Sequence, residues 1–368
     1  MGKTDSLTAQ ALRKFKKNFW GVFSLVLLSL AVLVAIFAYA LAPDDSRNAN
    51  QMHVSIHSKS PGFTVDILTL PSDFVQPQSG FSAFFMGRKT SDSEVPISSY
   101  EITDSGIMIT EYAQDGLKGL QKEYHISSFP KADTPQAIPG LYIKNQKFIL
   151  GTDKYGRDLL SRMLIGIRIS LAIGFVSVLI SLLIGITLGA IAGYYGGRVD
   201  TVIMWIINVT WSIPTLLMVI AITLALEKGF WQVFIAVGLT MWVEVARVVR
   251  GQVMSVKNMQ YVTAAQALGF SNFRIIGKHI IPNILAPVIV ISAANFAAAI
   301  LIESGLSFLG IGAQPPMPSW GGMIKDHYNY IVLGKPYLAV VPGLAIMTLV
   351  MAFMLMGNAL RDALDVKM

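Results

Sequence analysis

Two scales of hydrophobic patterning alternate along the chain. Uncharged runs over residues 19–42 (24 residues), 169–193 (25), 201–226 (26) and 337–357 (21) each exceed the ~20 needed to cross a bilayer as a helix. The run 284–302 gives 19, and a marginal one starts at Gly229 and meets Glu244 after 15. That last run spans if its far end, with Arg247 and Arg250, snorkels at an interface. Six membrane helices are therefore predicted. In the second, Gly174, Gly185, Gly189 and Gly193 offer small faces for close packing. After the first run the period shortens to two at 63–70, 100–103, 107–112 and 122–126, with turn signals at Asp104-Ser105-Gly106 and Asp115-Gly116. A small antiparallel β domain follows from that alternation. The chain then divides into a basic tail (1–18), a first span (19–42), a β-rich insertion (43–150) and a helical core (151–368).

Composition agrees with the pattern. Of 368 residues, 53% are hydrophobic and 14% charged, and the mean hydropathy is +0.56, which places the chain among membrane proteins. With no cysteine it holds neither a disulfide nor a thiolate metal site. Ala38-Tyr39-Ala40 mimics a signal cleavage site, but the apolar run before it is about twice the usual signal length, so an uncleaved anchor is expected. Met1-Gly2 with Ser6 fits a myristoylation pattern short enough to arise by chance.

The net charge of +7 reads as topology rather than nucleic-acid binding. With a cytoplasmic N-terminus, the inner segments hold 13 Lys and Arg: Lys3, Arg13, Lys14, Lys16 and Lys17 against Asp5, then Arg198, five between Arg247 and Lys278, Arg361 and Lys367. The short outer loops hold Lys228, Lys325 and Lys335, so both termini and the 251–282 loop are expected inside. Arg157, Arg162 and Arg168 belong to a long translocated segment, on which the rule has little purchase. Residues 44–168 carry 13 basic and 14 acidic side chains, without the basic patch nucleic acid requires. His53, His57 and His125 are expected at the surface or in turns.

Three strings are candidates for chemistry. The segment 261–282 is too polar to span; it reads as two short helices with Gly269 as a left-handed stop, Ser271 as the second N-cap, and Phe273, Ile276 and Ile280 as an apolar stripe. Pro282 marks the entry to the next span. On helix grammar alone a plain connecting loop is equally open. In G-T-D-K-Y-G-R-D-L-L-S-R (151–162), Asp153, Arg157 and Asp158 are placed to pair with one another or with backbone. In E-S-G-L-S-F-L-G-I-G-A-Q-P-P-M-P-S-W-G-G (303–322), Pro315, Pro316 and Pro318 forbid regular helix, and Trp320 and Tyr328 are expected as interface anchors.

The arrangement A-A-x3-G-x9-H-x-I-P closely resembles the cytoplasmic EAA loop of the membrane-spanning subunits of bacterial ABC importers. Ala264, Ala265 and Gly269 fall on the motif's alanines and glycine, Pro282 on its closing proline, and Thr263 where the general motif has Glu. The strings at 151–162, 303–322 and G-N-A-L-R-D-A-L-D (357–365, with Asn358 where many members carry Asp) resemble the peptide and nickel importer permeases. The likeness is loose over 1–42, close over 151–368, and implies nothing for 43–150.

What the resemblance implies is an all-α membrane protein of the importer-permease type, in a bacterial inner membrane. Its coupling residues would be Thr263, Ala264, Ala265, Gly269 and Pro282, with Ala265 on the face entering a groove of the ATPase. The implied partners are a second homologous permease, two ATPase subunits, an external solute-binding protein and membrane lipid. The implied cargo is a di- or oligopeptide, with nickel or another small solute as the alternative. No cofactor is implied. The chain has no phosphate-binding G-x-x-x-x-G-K-[ST], and neither H-E-x-x-H nor G-x-S-x-G, so no catalysis is expected of it. A self-sufficient secondary transporter would carry ionisable groups at mid-membrane. Asn208 and Asn295 are the main polar residues expected inside spans, with Glu244 and Glu303 near span ends.

Overall fold

The computed structural model describes residues 7–72, 78–89, 92–114, 117–227 and 229–365. Met1-Gly2 with Ser6, the Asp115-Gly116 turn, and Lys3, Asp5, Lys228 and Lys367 of the charge count lie outside the described residues. The chain is mostly helical and forms two compact units, one of residues 1–32, 170–314 and 343–368, the other of 33–169 and 315–342.

The main helices are α1 (Leu7–Lys17), α2 (Phe19–Ile36), α3 (Leu159–Tyr195), α4 (Gly197–Trp211), α5 (Thr215–Ala225), α6 (Phe230–Val256), α7 (Gln260–Ala267), α8 (Leu285–Leu309), α9 (Trp320–His327) and α10 (Tyr337–Leu364). Among the described residues five helical stretches are long and apolar enough to cross a membrane, and the α4–α5 pair, bent by 91°, makes a sixth if it counts as one span. The run 201–226 is thus not one straight helix. Pro214 has extended backbone (ψ 125°) and no N–H to donate, so the helix ends at Trp211 and restarts at Thr215.

In the first unit the glycines of α3 decide which helix packs on it. A Cβ at Gly185 would lie 2.5 Å from Val245, one at Gly189 2.4 Å from the Ala246 carbonyl, and one at Gly193 2.7 Å from that of Arg250. Gly185, Gly189 and Gly193 recur every four residues, so α6 approaches α3 along one bare ridge. The run from Gly229 is no marginal span, since α6 continues 12 residues beyond Glu244. Its arginines are met by protein groups. Arg250 forms a bidentate pair with Asp200 of α4 (Nη2–Oδ2 2.6 Å), and the Arg247 guanidinium lies over Trp211 at 3.5 Å and donates to Asn208 at 3.2 Å. Glu303 of α8 is fully buried and accepts from Ser307 at 2.6 Å. The amphipathic α1 buries Ala11 and Phe15, Phe15 in a cluster with Met356, Ala359 and Ala363 of α10, and keeps its basic residues exposed.

The second unit is built on a sheet of β1 (Phe63–Leu70), β2 (Ser93–Ile102), β3 (Gly106–Glu111), β4 (Gln121–His125) and β5 (Ile143–Phe148), in order β4-β3-β2-β1-β5 and antiparallel throughout. Alternation along β1 packs Leu68 with Ile97, Ile107, Ile109, Phe129 and Ile138, and Val65 and Ile67 with Ile56 and Phe148. β5, with interior residues K-N-Q-K, carries too little apolar signal to be read from sequence. His53 is buried rather than superficial, with Nε2 3.0 Å from Glu94, while His125 is exposed. Trp320 is 3% exposed and donates to the Met163 carbonyl at 3.1 Å, so it anchors the chain internally rather than at an interface; Tyr328 is exposed.

The 151–162 string is a buried polar knot. Asp153 accepts from Arg157 Nε at 2.7 Å and from the N–H groups of Tyr155 and Arg157, and Arg162 Nε lies 3.7 Å away. Arg157 donates to Asn50, Arg162 to the Asn48 and Ala49 carbonyls, and Asp158 caps α3 through the Ser161 N–H at 2.8 Å. Burial pushes the Asp158 carboxyl up, against the hydrogen bonds from Ser161. No group of three or more potential metal ligands occurs among the described residues.

Candidate functional site

The 261–282 segment forms a helical corner between α6 and α8, and local chemistry explains the turn. Gly269 has φ +76°, its N–H donates to the Gln266 carbonyl (2.9 Å), and the Phe270 N–H donates to Ala265 (3.1 Å). This is the doubly bonded left-handed helix stop that glycine favours. The chain then makes a short helix at Asn272–Ile275, a π turn at Ile276–Ile280 and a 3-10 turn at Ile281–Ile284 before entering α8. Pro282 cannot donate into a regular ladder, which accounts for the widened and tightened turns around it. Ser271 has the extended backbone of an N-cap but makes no side-chain capping bond.

The corner is bolted to the helices behind it. Val262, Ala265, Ile275 and Ile280 join Ala190 of α3, Val245, Val249 and Val253 of α6, and Ile284 and Val288 in one buried cluster. Tyr194 donates to Asn272 (2.9 Å) and Lys257 to the Gly193 carbonyl (3.1 Å). Desolvation raises the Tyr261 hydroxyl pKa. The inner face is therefore packed against α3, α6 and α8.

The outer face is different. Thr263, Ala264, Gln266, Ala267 and Gly269 are exposed, and Leu268 and Phe273 project apolar side chains that are 72% and 89% exposed. Phe273 is thus not part of the expected stripe; Ile275 takes the buried place, because the π turn shifts the periodicity by about one residue. Ala265 is corrected as well. At 4% exposure it packs inward against the chain's own core and does not face a partner groove. Of the five singled-out residues, Thr263 and Ala264 lie on the outer face, Gly269 makes the corner, Pro282 ends the second arm exposed, and Ala265 supports from within. Sequence reasoning placed Phe273 on the apolar stripe and did not single out Leu268, whose position beside the left-handed Gly269 was the available signal.

A family profile described as binding-protein-dependent transport system inner membrane component matches residues 185–368, the corner included. A second, described as the N-terminal TM domain of oligopeptide transport permease C, matches residues 6–61. The chain is 42% identical over 219 residues to the glutathione transport system permease protein GsiD of Pectobacterium atrosepticum, covering 60% of this chain and 72% of that protein. It is 43% identical over 218 residues to the dipeptide transport system permease protein DppC of Bacillus subtilis (59% and 68%). With the oligopeptide transport system permease protein OppC of the same organism it shares 38% identity over 246 residues (67% and 78%).

Proposed function

Because the chain belongs to the inner membrane components of binding-protein-dependent transport systems, we propose that it passes di- or oligopeptides through a pathway formed with a second homologous permease. It is a non-catalytic, multi-pass subunit of an ABC importer, working with an ATPase and a substrate-binding protein. In the proposed assembly there are two ATPase subunits, the solute-binding protein is external, and the 43–150 insertion faces the same side as that protein. Both termini and the corner are cytoplasmic, a reading supported by the 13 basic residues of the inner segments against Lys228, Lys325 and Lys335 outside. Peptide cargo is supported by the relatives, which are permeases of glutathione, dipeptide and oligopeptide transport systems.

The observation that carries the coupling role is the two-sided corner. An inner face packed into α3, α6 and α8 transmits movement; an outer face with Leu268 and Phe273 exposed wants a partner. Thr263 and Ala264, small and exposed beside them, allow a second surface to come close. The test is uptake of a labelled tripeptide into proteoliposomes holding the whole transporter, with the ATPase copurified through this chain. Phe273→Asp is expected to release the ATPase and stop uptake while the chain remains in the membrane. An unchanged ATPase complement overturns the coupling role, and uptake that excludes all peptides overturns the cargo.

A further inference from the structure

Among the described residues, Glu244 of α6 makes no side-chain hydrogen bond or ion pair. Glu244 is the fifteenth of 27 residues in α6, one turn before Arg247 and the inner end of the span, and it is exposed. A carboxylate on a membrane helix faces a partner or a water-filled path rather than lipid. The neighbouring cations are already committed, Arg250 to Asp200 and Arg247 to Trp211 and Asn208.

Glu244 lines a cleft of about 170 Å³ where the α4–α5 break meets α6 and α8, together with Trp211, Thr215, Thr240 and Ile302. Residues on both sides of the 91° break, Trp211 and Thr215, form one wall of it. The cleft is smaller than the ~300 Å³ at which ligand sites begin, as expected of half a site whose other wall belongs to a second permease. Its chemistry is one anion beside three threonines and an indole that Arg247 covers on one face.

We propose that Glu244 and this cleft form a permease-side contact for the cationic amino terminus of the cargo. The inference rests on the peptide reading above. A free amino terminus is the one cation every unmodified peptide carries, so a single carboxylate serves a path that passes many sequences, selecting the class of cargo and not its side chains. The apolar and indole wall accepts whatever residue follows.

The experiment uses the complete transporter in proteoliposomes, with trialanine and N-acetyl-trialanine offered with saturating binding protein. Glu244→Gln is expected to lower trialanine uptake roughly tenfold or more, the loss of one charge-assisted contact. N-acetyl-trialanine uptake, binding-protein-stimulated ATP hydrolysis and copurification of all subunits should be unchanged, and Glu244→Asp should recover most of the trialanine uptake. Equal trialanine uptake by Glu244→Gln and the unmodified transporter overturns the proposal. So does failure of Glu244→Gln to assemble, which makes Glu244 the ion-pair partner of a neighbouring subunit. If the unmodified transporter takes up no trialanine at all, the peptide reading has failed, and this is seen before any variant is made.

Discussion

The knot around Asp153 and the corner around Gly269 are both short, glycine-punctuated turns leading into long helices, yet their side chains are disposed in opposite ways. In the knot the charged groups are inside: Asp153 is 0% exposed, Arg157 3% and Arg162 5%, with Asp153 bonded to both arginines or to backbone. In the corner the apolar groups are outside, Phe273 and Leu268 foremost. Even the glycines differ. A Cβ at Gly156 would lie 1.8 Å from the His53 carbonyl, whereas one at Gly269 would meet nothing within 4 Å. A turn whose charged groups are buried and paired within the chain holds a fold, and a turn whose apolar atoms are left in the open awaits a partner.

The largest expected effect lies in the knot. Asp153→Ala strands two buried arginines, and breaking a buried pair from one side costs about 3 to 5 kcal/mol. The chain should fail to accumulate in the membrane and its solubilised form should melt early; normal accumulation would erase the contrast. Next comes the outer corner. Leu268→Asp combined with Phe273→Asp should leave accumulation and melting intact but lose the ATPase, since a docked apolar anchor is worth about 2 kcal/mol or more, roughly thirtyfold in affinity. The third sharpens the boundary within the corner. Ala265→Trp overpacks the cluster of Val262, Ile275 and Ile280 at a cost of about 1 to 3 kcal/mol. Its melting point should therefore fall, as for a knot residue, while Gln266→Ala, exposed beside it, changes stability by less than about 0.5 kcal/mol.

The smallest effect is a matter of pH. Burial raises the Asp158 carboxyl above its unfolded value, so the folded state favours its protonated form. That contribution is fully present below the unfolded pKa and is lost as pH rises through the folded one. Asp158→Asn, which keeps an N-cap acceptor for Ser161, should therefore melt no lower than the unmodified chain at neutral pH and show a flatter dependence of melting on pH between the unfolded and the raised folded carboxyl pKa. A steeper dependence would mean that the ionised carboxylate stabilises the fold.

Much of this was legible because apolar runs and turn residues report locally. The strand at 63–70 is read at its observed limits, and the glycines of α3 signalled close packing before α6 was known to supply it. What stayed hidden depends on neighbours. Charge at Glu244, Arg247 and Arg250 made α6 look short, because one sequence does not show that Asp200, Asn208 and Trp211 meet the two arginines. Pro214 sits inside an unbroken apolar run, and hydropathy is blind to the 91° bend it makes. The candidate site was found by its glycine and alanines, but which faces were outward depended on tertiary packing, which draws Ala265 inward, and on a π turn no local pattern announces, which leaves Phe273 outside.

The central claim is that the corner's exposed tip is the docking surface for the ATPase. The chain has no cysteine, so Phe273→Cys provides a single reporter thiol. In inverted membrane vesicles stripped of ATPase, a membrane-impermeant maleimide should label this thiol rapidly, and adding back the ATPase should block labelling, while a thiol introduced at the exposed Val332 stays unlabelled in both cases. Labelling of Phe273→Cys that is equally fast with and without the ATPase would contradict the account.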